Sequence, residues 1–523
     1  MDITTLPNDL FRLILEYLSP EELIRYRRVS KQFHATLTET DLCRHLLVQH
    51  FPRSREARYL TSNNSQDWGH EFLRVATRYH HLRLGTATGI EKLPLAKSFV
   101  LPAWSRNFPV APWQRHLKFE DKSSPFHYPD TLWTFDDGIL IFPSTEAQSY
   151  LLYDLSSGTK LNIDLESENK IVRRIRLNEG VLVVEWCEHE PYHQLNENEM
   201  VYRHFATAYD IKQTNDGHWG VMFRSEWKIH FLGFPLNSQD RFFSAHTSTH
   251  YALYTWQKNR SAWGEDDPIE ALAIWDISSP SPYKPSEDPA GKAKPSDITE
   301  GPHVIRRFSF SDLDFYRIRQ NWDPILRCLE LDAGHVYVTT ENHRWVVGQQ
   351  ASNNLPPLHH VKTTGIPFRA GPAWEDECGA NGDTDISFCD NELNIRSPNI
   401  APCWRHEEFP YLTVTEMVDS DAGIVLSARH CFMLEAISLE ITPKANMKEP
   451  EYAMSLRDDL WPQLLGKGKL CGDERFVIGE NSNQEVVVLH FDDQRLRRRD
   501  TQEKDCIIHR KHFWADTVPR KTT

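Results

Sequence analysis

The sequence predicts an α+β multidomain chain, with a small all-α module at the N-terminus followed by a large all-β domain. Three observations carry this expectation. Up to Leu84, apolar residues recur at three- and four-residue spacing, the period of a helix. From about Phe119 they fall instead into short β-rich runs separated by turns, and the runs come in pairs. At 523 residues the chain also exceeds what one compact core of ordinary size holds.

The first helix follows Pro7, a residue suited to a first helical turn because its missing N–H costs nothing there. Leu10, Phe11, Ile14, Leu15 and Leu18 then line one side. Ser19-Pro20-Glu21-Glu22 combines a capping serine, a proline at the first helical position and a glutamate placed to reach back, so a second helix begins at Pro20. Leu23 and Ile24 supply its apolar side, and Arg25-Tyr26-Arg27-Arg28 puts cations at its C-terminal end, where the helix dipole favours them. Ser30 is placed to cap a third short helix carrying Phe33 and Leu37. So short a segment buries too little surface to be stable alone. Its leucines therefore either pack on the rest of the chain or form an interface. Further helices are expected over Asp41 to Phe51 and Trp68 to Leu84, with Thr61-Ser62-Asn63-Asn64-Ser65 as a loop between them.

The ordered set Leu6-Pro7, Asp9-Leu10, Ile14-Leu15, Leu18-Ser19-Pro20, Leu23 and Val29-Ser30-Lys31 resembles the F-box, the module by which substrate receptors dock on the Skp-type linker of cullin-RING ubiquitin ligases. Phe33 stands where many F-boxes carry tryptophan, which keeps the aromatic bulk and loses an indole N–H. Trp68…Glu71-Phe72-Leu73…Ala76-Thr77-Arg78-Tyr79-His80-His81-Leu82…Gly85 resembles the segment that follows the F-box in many fungal F-box proteins. The resemblance implies an F-box over residues 1–40, a helical linker over 41–90 and a target-binding β domain over 119–515. It also implies a linker-facing surface made of Leu6, Pro7, Leu10, Ile14, Leu15, Leu18, Leu23, Ile24 and Val29. The other reading of the same leucines is a helical cap packed on its own core.

Six strand pairs are expected in the β domain. They are Ile139 to Phe142 with Tyr150 to Leu155, Val181 to Trp186 with Phe205 to Ile211, Tyr251 to Trp256 with Ala271 to Ile277, Val336 to Val338 with Trp345 to Val347, Ile424 to Ser427 with Phe432 to Ala436, and Phe476 to Ile478 with Val486 to Phe491. Lys160 to Leu165, Trp227 to Leu232 and Arg306 to Phe310 are further strand candidates, which suggests four-stranded units. Tyr153-Asp154-Leu155, Tyr209-Asp210-Ile211 and Trp275-Asp276-Ile277 end three of the second strands alike, and each aspartate is expected to serve a turn. This ending is similar to that of WD-repeat blades, and implies a β-propeller of six to eight blades, with an irregular pair of β-sandwiches as the alternative. The longest loops are expected over Glu188 to Val201, the proline-rich Ser278 to Pro302, read as a flexible spacer or a phosphorylated region, and Ala351 to Asn399.

A net charge of -15 disfavours nucleic acid and anionic membrane as partners. No apolar run is long enough to span a bilayer and the first residues do not read as a signal peptide, so the expected location is the cytoplasm, the nucleus or both. Nine cysteines without framework spacing are expected to be free thiols.

Phosphate-binding loops, nucleophile elbows and His-Glu-x-x-His pairs are absent from the sequence. Cys378, Cys389, Cys403 and His406, with His359-His360 upstream, lack the tight pairs of a closed zinc site and are expected to be loop residues. Arg495-Leu496-Arg497-Arg498-Arg499 reads as a solvated strand exit, with a nuclear-import signal as the alternative. Asp136-Asp137 and Asp266-Asp267 sit beside turn residues and make poor acid–base pairs. No catalytic residue, cofactor or metal is therefore expected. The resemblance implies a non-enzymatic receptor whose partners are the Skp-type linker, cullin through it, and a target protein. A cullin-independent scaffold, or an enzyme with its site in a propeller funnel, are the alternatives.

Overall fold

The computed structural model describes residues 6–59 and 67–96, most of 131–344, the strands between 358 and 456, and 470–492 apart from single residues. The chain divides into two compact units, one built from residues 1–82, 86–90 and 489–523 and the other from 83–85 and 91–488.

The first unit is helical: α1 (Asn8–Leu15), α2 (Pro20–Tyr26), α3 (Lys31–Leu37), α4 (Thr40–His50), α5 (Arg55–Arg58) and α6 (Trp68–Leu84). The second helix begins where its capping sequence places it. The Glu22 backbone N–H donates to Ser19 Oγ at 3.3 Å, and the Ser19 N–H donates to a Glu22 carboxylate oxygen at 2.8 Å. The Phe33 N–H likewise donates to Ser30 Oγ at 3.1 Å, fixing the start of α3. Ser19→Ala should cost about 1 kcal/mol of helical-unit stability, read as a lower denaturant midpoint for the helical signal.

The core of this unit gathers Phe11 and Leu15 of α1, Leu23 and Ile24 of α2, Leu37 of α3, Leu42, Leu46 and Leu47 of α4, and Trp68, Phe72 and Val75 of α6. At its edge lies a buried ion cluster. Arg78, wholly buried, donates to Asp492 at 2.6 Å and to Glu56 at 2.7 Å, while Arg74 donates to Glu56 at 2.8 Å and Glu71 at 2.6 Å. Burial alone would push the Glu56 carboxyl up, but the two guanidiniums outweigh it and hold it below its ordinary value.

The second unit is β-rich. Its sheets, in chain order, begin with Thr134–Asp136, Ile139–Pro143, Tyr150–Asp154 and Lys160–Ile163. The second sheet is Lys170–Asn178, Val181–Glu188, His204–Gln213 and Trp219–Lys228; the third is Arg241–His246, His250–Gln257, Ile269–Asp276 and His303–Phe308. The fourth has five strands, Leu326–Leu331, His335–Arg344, Leu358–Pro367, Trp374–Cys378 and Thr384–Phe388. Tyr411–Asp419, Ile424–Cys431, Ala436–Pro443 and Met454–Leu456 make the fifth. The sixth joins Leu470–Gly472, Phe476–Glu480 and Glu485–His490 to Gly89–Pro94, a strand from far earlier in the chain. A three-stranded side sheet, His193–Asn196, Glu199–Tyr202 and Phe234–Pro235, extends from the second sheet's middle hairpin.

Alternation explains why the central strands are apolar throughout. Leu182 and Val184 pack with Ile139, Ile141 and Leu152 of the first sheet, while Val181 and Val183 pack with Phe242, Tyr251 and Leu253 of the third. Successive side chains point to opposite faces of a strand, so a strand with a neighbouring sheet on each side needs apolar residues at every position. Ala252, Tyr254, Leu272 and Ile274 continue the series against Leu326, Val336 and Val338 of the fourth sheet. Leu140, Phe142 and Leu151 of the first sheet meet Phe476, Ile478, Val486 and Val488 of the sixth.

The three Asp endings occupy equivalent places. The N–H groups of Leu155, Ile211 and Ile277 donate to the carbonyls of Gly138, Gly180 and Thr249, each in the hairpin turn that precedes the strand pair's second crossing of its own sheet. Asp154 and Asp276 accept backbone N–H groups two residues on, at 2.8 Å in both cases, which is the expected turn role. Asp210 instead pairs with Arg224 at 3.4 Å.

Several expectations need correction. Glu188 to Val201 is not a loop but carries the side-sheet hairpin, and Ala351 to Asn399 carries three strands of the fourth sheet. The first part of the proline-rich stretch is held in place: the Ser281 N–H donates to the Arg224 carbonyl at 2.9 Å and the Ser286 N–H to Glu226 at 2.9 Å, so residues 278–288 cover the outer edge of the second sheet. Residues 289–300 lie outside the described residues, as do Trp345 to Val347, residues 432–435, the expected loop at 61–65 and the basic run at 495–499. Val336 to Val338 has Leu358–Pro367 as its described partner on one side, and Ile424 to Ser427 has Ala436–Pro443.

Candidate functional site

Helix α1 and the turn that follows it carry two apolar stripes. Phe11 and Leu15 face inward and are buried, with Leu18 partly buried against the same core. Leu10, Leu13, Ile14 and Tyr17 form the other stripe at three- and four-residue spacing and stay exposed, Leu10 at 51% and Tyr17 at 89%. Tyr26, at the end of α2, and Val29, just beyond it, are also exposed, with the cations Arg25, Arg28 and Lys31 close in sequence. Among the described residues this apolar face is left exposed, and an exposed apolar patch rimmed by polar groups is the kind of surface through which proteins associate.

The nine residues implied by the resemblance thus separate into groups. Pro7, Leu10, Ile14 and Val29 are exposed; Leu6 and Leu18 are half-buried; Leu15, Leu23 and Ile24 lie inside the helical core, where they hold the unit together. Leu13, Tyr17 and Tyr26 are exposed apolar residues that the sequence reading does not include. The i, i+3 and i+7 relation of Leu10, Leu13 and Tyr17 is the signal that could have found two of them.

Several titratable groups of the β unit serve its interior. Glu185 accepts from Arg174 at 3.1 Å and from the Tyr251 hydroxyl at 2.9 Å. Burial raises Glu270, which accepts the Tyr254 hydroxyl and the N–H groups of Gln320 and Asn321 at 2.8 and 2.9 Å, pinning that loop. Asp136 is likewise pushed up by burial, but it accepts backbone N–H groups from Gly180 and Glu179. Asp137, at φ 41°, sits with Gly138 in a tight hairpin turn, and Asp267 pairs with Arg319 at 2.7 Å. Burial also raises the thiols of Cys43, to about 11, and Cys187, to about 12, keeping both protonated and inert. Among the described residues no group of three His, Cys, Asp or Glu is placed to hold a metal, and Cys389, Cys403 and His406 lie outside them. A cleft of about 420 Å³ beside the Glu179-Gly180 turn is lined by charges that already have partners, Asp210 with Arg224 and Glu179 with Ser248. No described helix is long and apolar enough to cross a membrane.

Three histidines of the second and third sheets and their connection are held neutral. Burial lowers His204 well below its ordinary value, and His230 and His246 to about 4. Their unfolded value is near 6.5, so between about 6.5 and about 4 the unfolded chain binds more protons than the folded one. Stability from the neutral rings is fully present above that window and is lost as pH falls through it. The denaturant midpoint of the β unit should drop from pH 7.5 to pH 5.0. His246→Gln, which keeps a donor for the Val181 carbonyl, should flatten that dependence.

No curated protein matches the chain. The F-box domain model matches residues 3–45 and names nothing in the β-rich part. Domains of this kind typically dock on Skp-type linkers, and proteins that carry them are generally non-catalytic adaptors. The chain therefore carries an F-box domain at residues 3–45, a module that points to an adaptor role in ubiquitin ligases.

Proposed function

We propose that this protein is the substrate receptor of a Skp-cullin-F-box ubiquitin ligase, acting in the cytoplasm or nucleus. The exposed stripe of Leu10, Leu13 and Ile14, continued by Tyr17 in the turn that follows, on a helix whose opposite stripe is already buried is the observation that carries the docking half. For the β unit the reading is a six-bladed propeller that holds the target. Among the described residues six sheets of four or five strands support it, with the first strands of the first and sixth sheets in contact and Gly89–Pro94 completing the sixth. Completing the last blade with a strand from the start ties the two ends of the β unit together, and closing the ring covers the two outer sheet faces that a linear stack would leave exposed.

Catalysis would then be a matter of geometry. The receptor raises the effective concentration of a target lysine near a conjugating enzyme and needs no reactive side chain. A tagged full-length chain should recover a purified Skp-type linker in equal amount, and cullin with it. Recovery of linker without cullin would favour a cullin-independent scaffold, and recovery of neither would overturn the assignment.

A further inference from the structure

We infer that the side-sheet hairpin is a second docking element, one that captures an extended basic peptide as an added strand. This rests on the receptor reading above and names where and how the target is held. His193–Asn196 is the terminal strand of the side sheet, in the order Phe234–Pro235, Glu199–Tyr202, His193–Asn196, and all its residues are exposed. Its inner edge is fixed by pairing of His193 with Val201 and Gln194 with Met200; among the described residues no strand pairs with its outer edge. The part of this short edge strand that precedes the bulge between Gln194 and Asn196 offers backbone N–H and C=O groups to an incoming chain.

Two features choose the occupant. Tyr192, Leu195 and Met200 are exposed at 46%, 44% and 42%, giving an arriving strand apolar side chains to cover. The exposed charge at the edge is acidic: Glu190 and Glu197 are exposed at the two ends of the hairpin strand and Glu199 is engaged by Asn196 at 2.7 Å, while Arg203, whose guanidinium lies over the Tyr192 ring, is taken by Glu188 at 2.7 Å, with Lys228 close to the same pair. The hairpin is also anchored, not loose. Gly233, at φ 82°, brings Phe234–Pro235 so near that a Cβ there would stand 2.3 Å from the Tyr202 carbonyl oxygen. An acidic, partly apolar and rigid edge fits a peptide alternating Lys or Arg with aliphatic residues.

The test uses the full-length chain with its linker protein and a fluorescent synthetic peptide of alternating lysine and valine, against a control with glutamate for lysine. Wild type should bind the lysine peptide at least tenfold tighter than the control. Glu190→Lys/Glu197→Lys should reverse the order. Equal binding of the two peptides, or a preference unmoved by the charge reversal, would overturn the inference. Linker capture is measured in the same samples: its loss in wild type would count against the receptor reading, whereas its retention with failed peptide binding counts against the hairpin alone.

Discussion

Leu10→Asp is expected to abolish capture of a Skp-type linker while leaving the chain folded. Leu10 is half exposed in the free chain, so a carboxylate there stays hydrated and the fold loses little. On docking the same carboxylate would be buried unpaired in an apolar contact, a cost of several kcal/mol. Affinity should therefore fall by more than a hundredfold, and Ile14→Asp should behave alike. Leu23→Ala is the control, since Leu23 is 1% exposed within the helical core. Its cost of about 2–5 kcal/mol should appear as a lower unfolding midpoint, with linker capture lost only as the helices melt. Isothermal titration beside circular dichroism separates the two behaviours. A linker affinity unchanged by Leu10→Asp would remove α1 from the interface.

Arg78→Met is expected to have the largest effect on stability. The guanidinium is fully buried and bridges Glu56 and Asp492, residues far apart in sequence within the same unit. Removing it leaves the Asp492 carboxylate in a dry setting without that cation, and breaking such a pair costs about 3–5 kcal/mol. Methionine keeps helical propensity and much of the side-chain length, so α6 itself should persist. Amide exchange across α5, α6 and residues 489–492 should accelerate in the variant. Arg78→Met/Asp492→Leu should recover a large part of the loss, because an apolar pair replaces the stranded charge. If the single variant unfolds at the wild-type midpoint, the cluster does not hold this unit together.

The helical part is legible in the sequence because its signals are local. Ser19, Pro20 and Glu22 fix the start of α2 by backbone chemistry alone, and Trp68 to Leu84 carries an unbroken three-four spacing that matches α6. The four-residue α5 escapes notice, being too short for any periodicity. In the β unit, runs such as Val181 to Trp186 are legible because both faces are covered and every position is apolar or nearly so. Leu358–Pro367, with His, Lys and Thr in its middle, and His193–Asn196, exposed throughout, give no such run and look like loop. The exposed apolar face of the helical unit is only half legible. Leucine composition does not say which stripe faces a unit's own core, so Leu15, Leu23 and Ile24 stand beside Leu10 and Ile14 in the sequence-derived surface, and Leu13 and Tyr17 are left out.

Solvent footprinting of the tyrosines tests the central claim most directly. Tyr17 is 89% exposed and Tyr26 38% exposed in the free chain, while Tyr150, 1% exposed, serves as an internal reference. Addition of a purified Skp-type linker should form a one-to-one complex in which modification of Tyr17 and Tyr26 falls severalfold and that of Tyr150 stays unchanged. A complex that leaves Tyr17 as reactive as before, or no complex at all, would contradict the account.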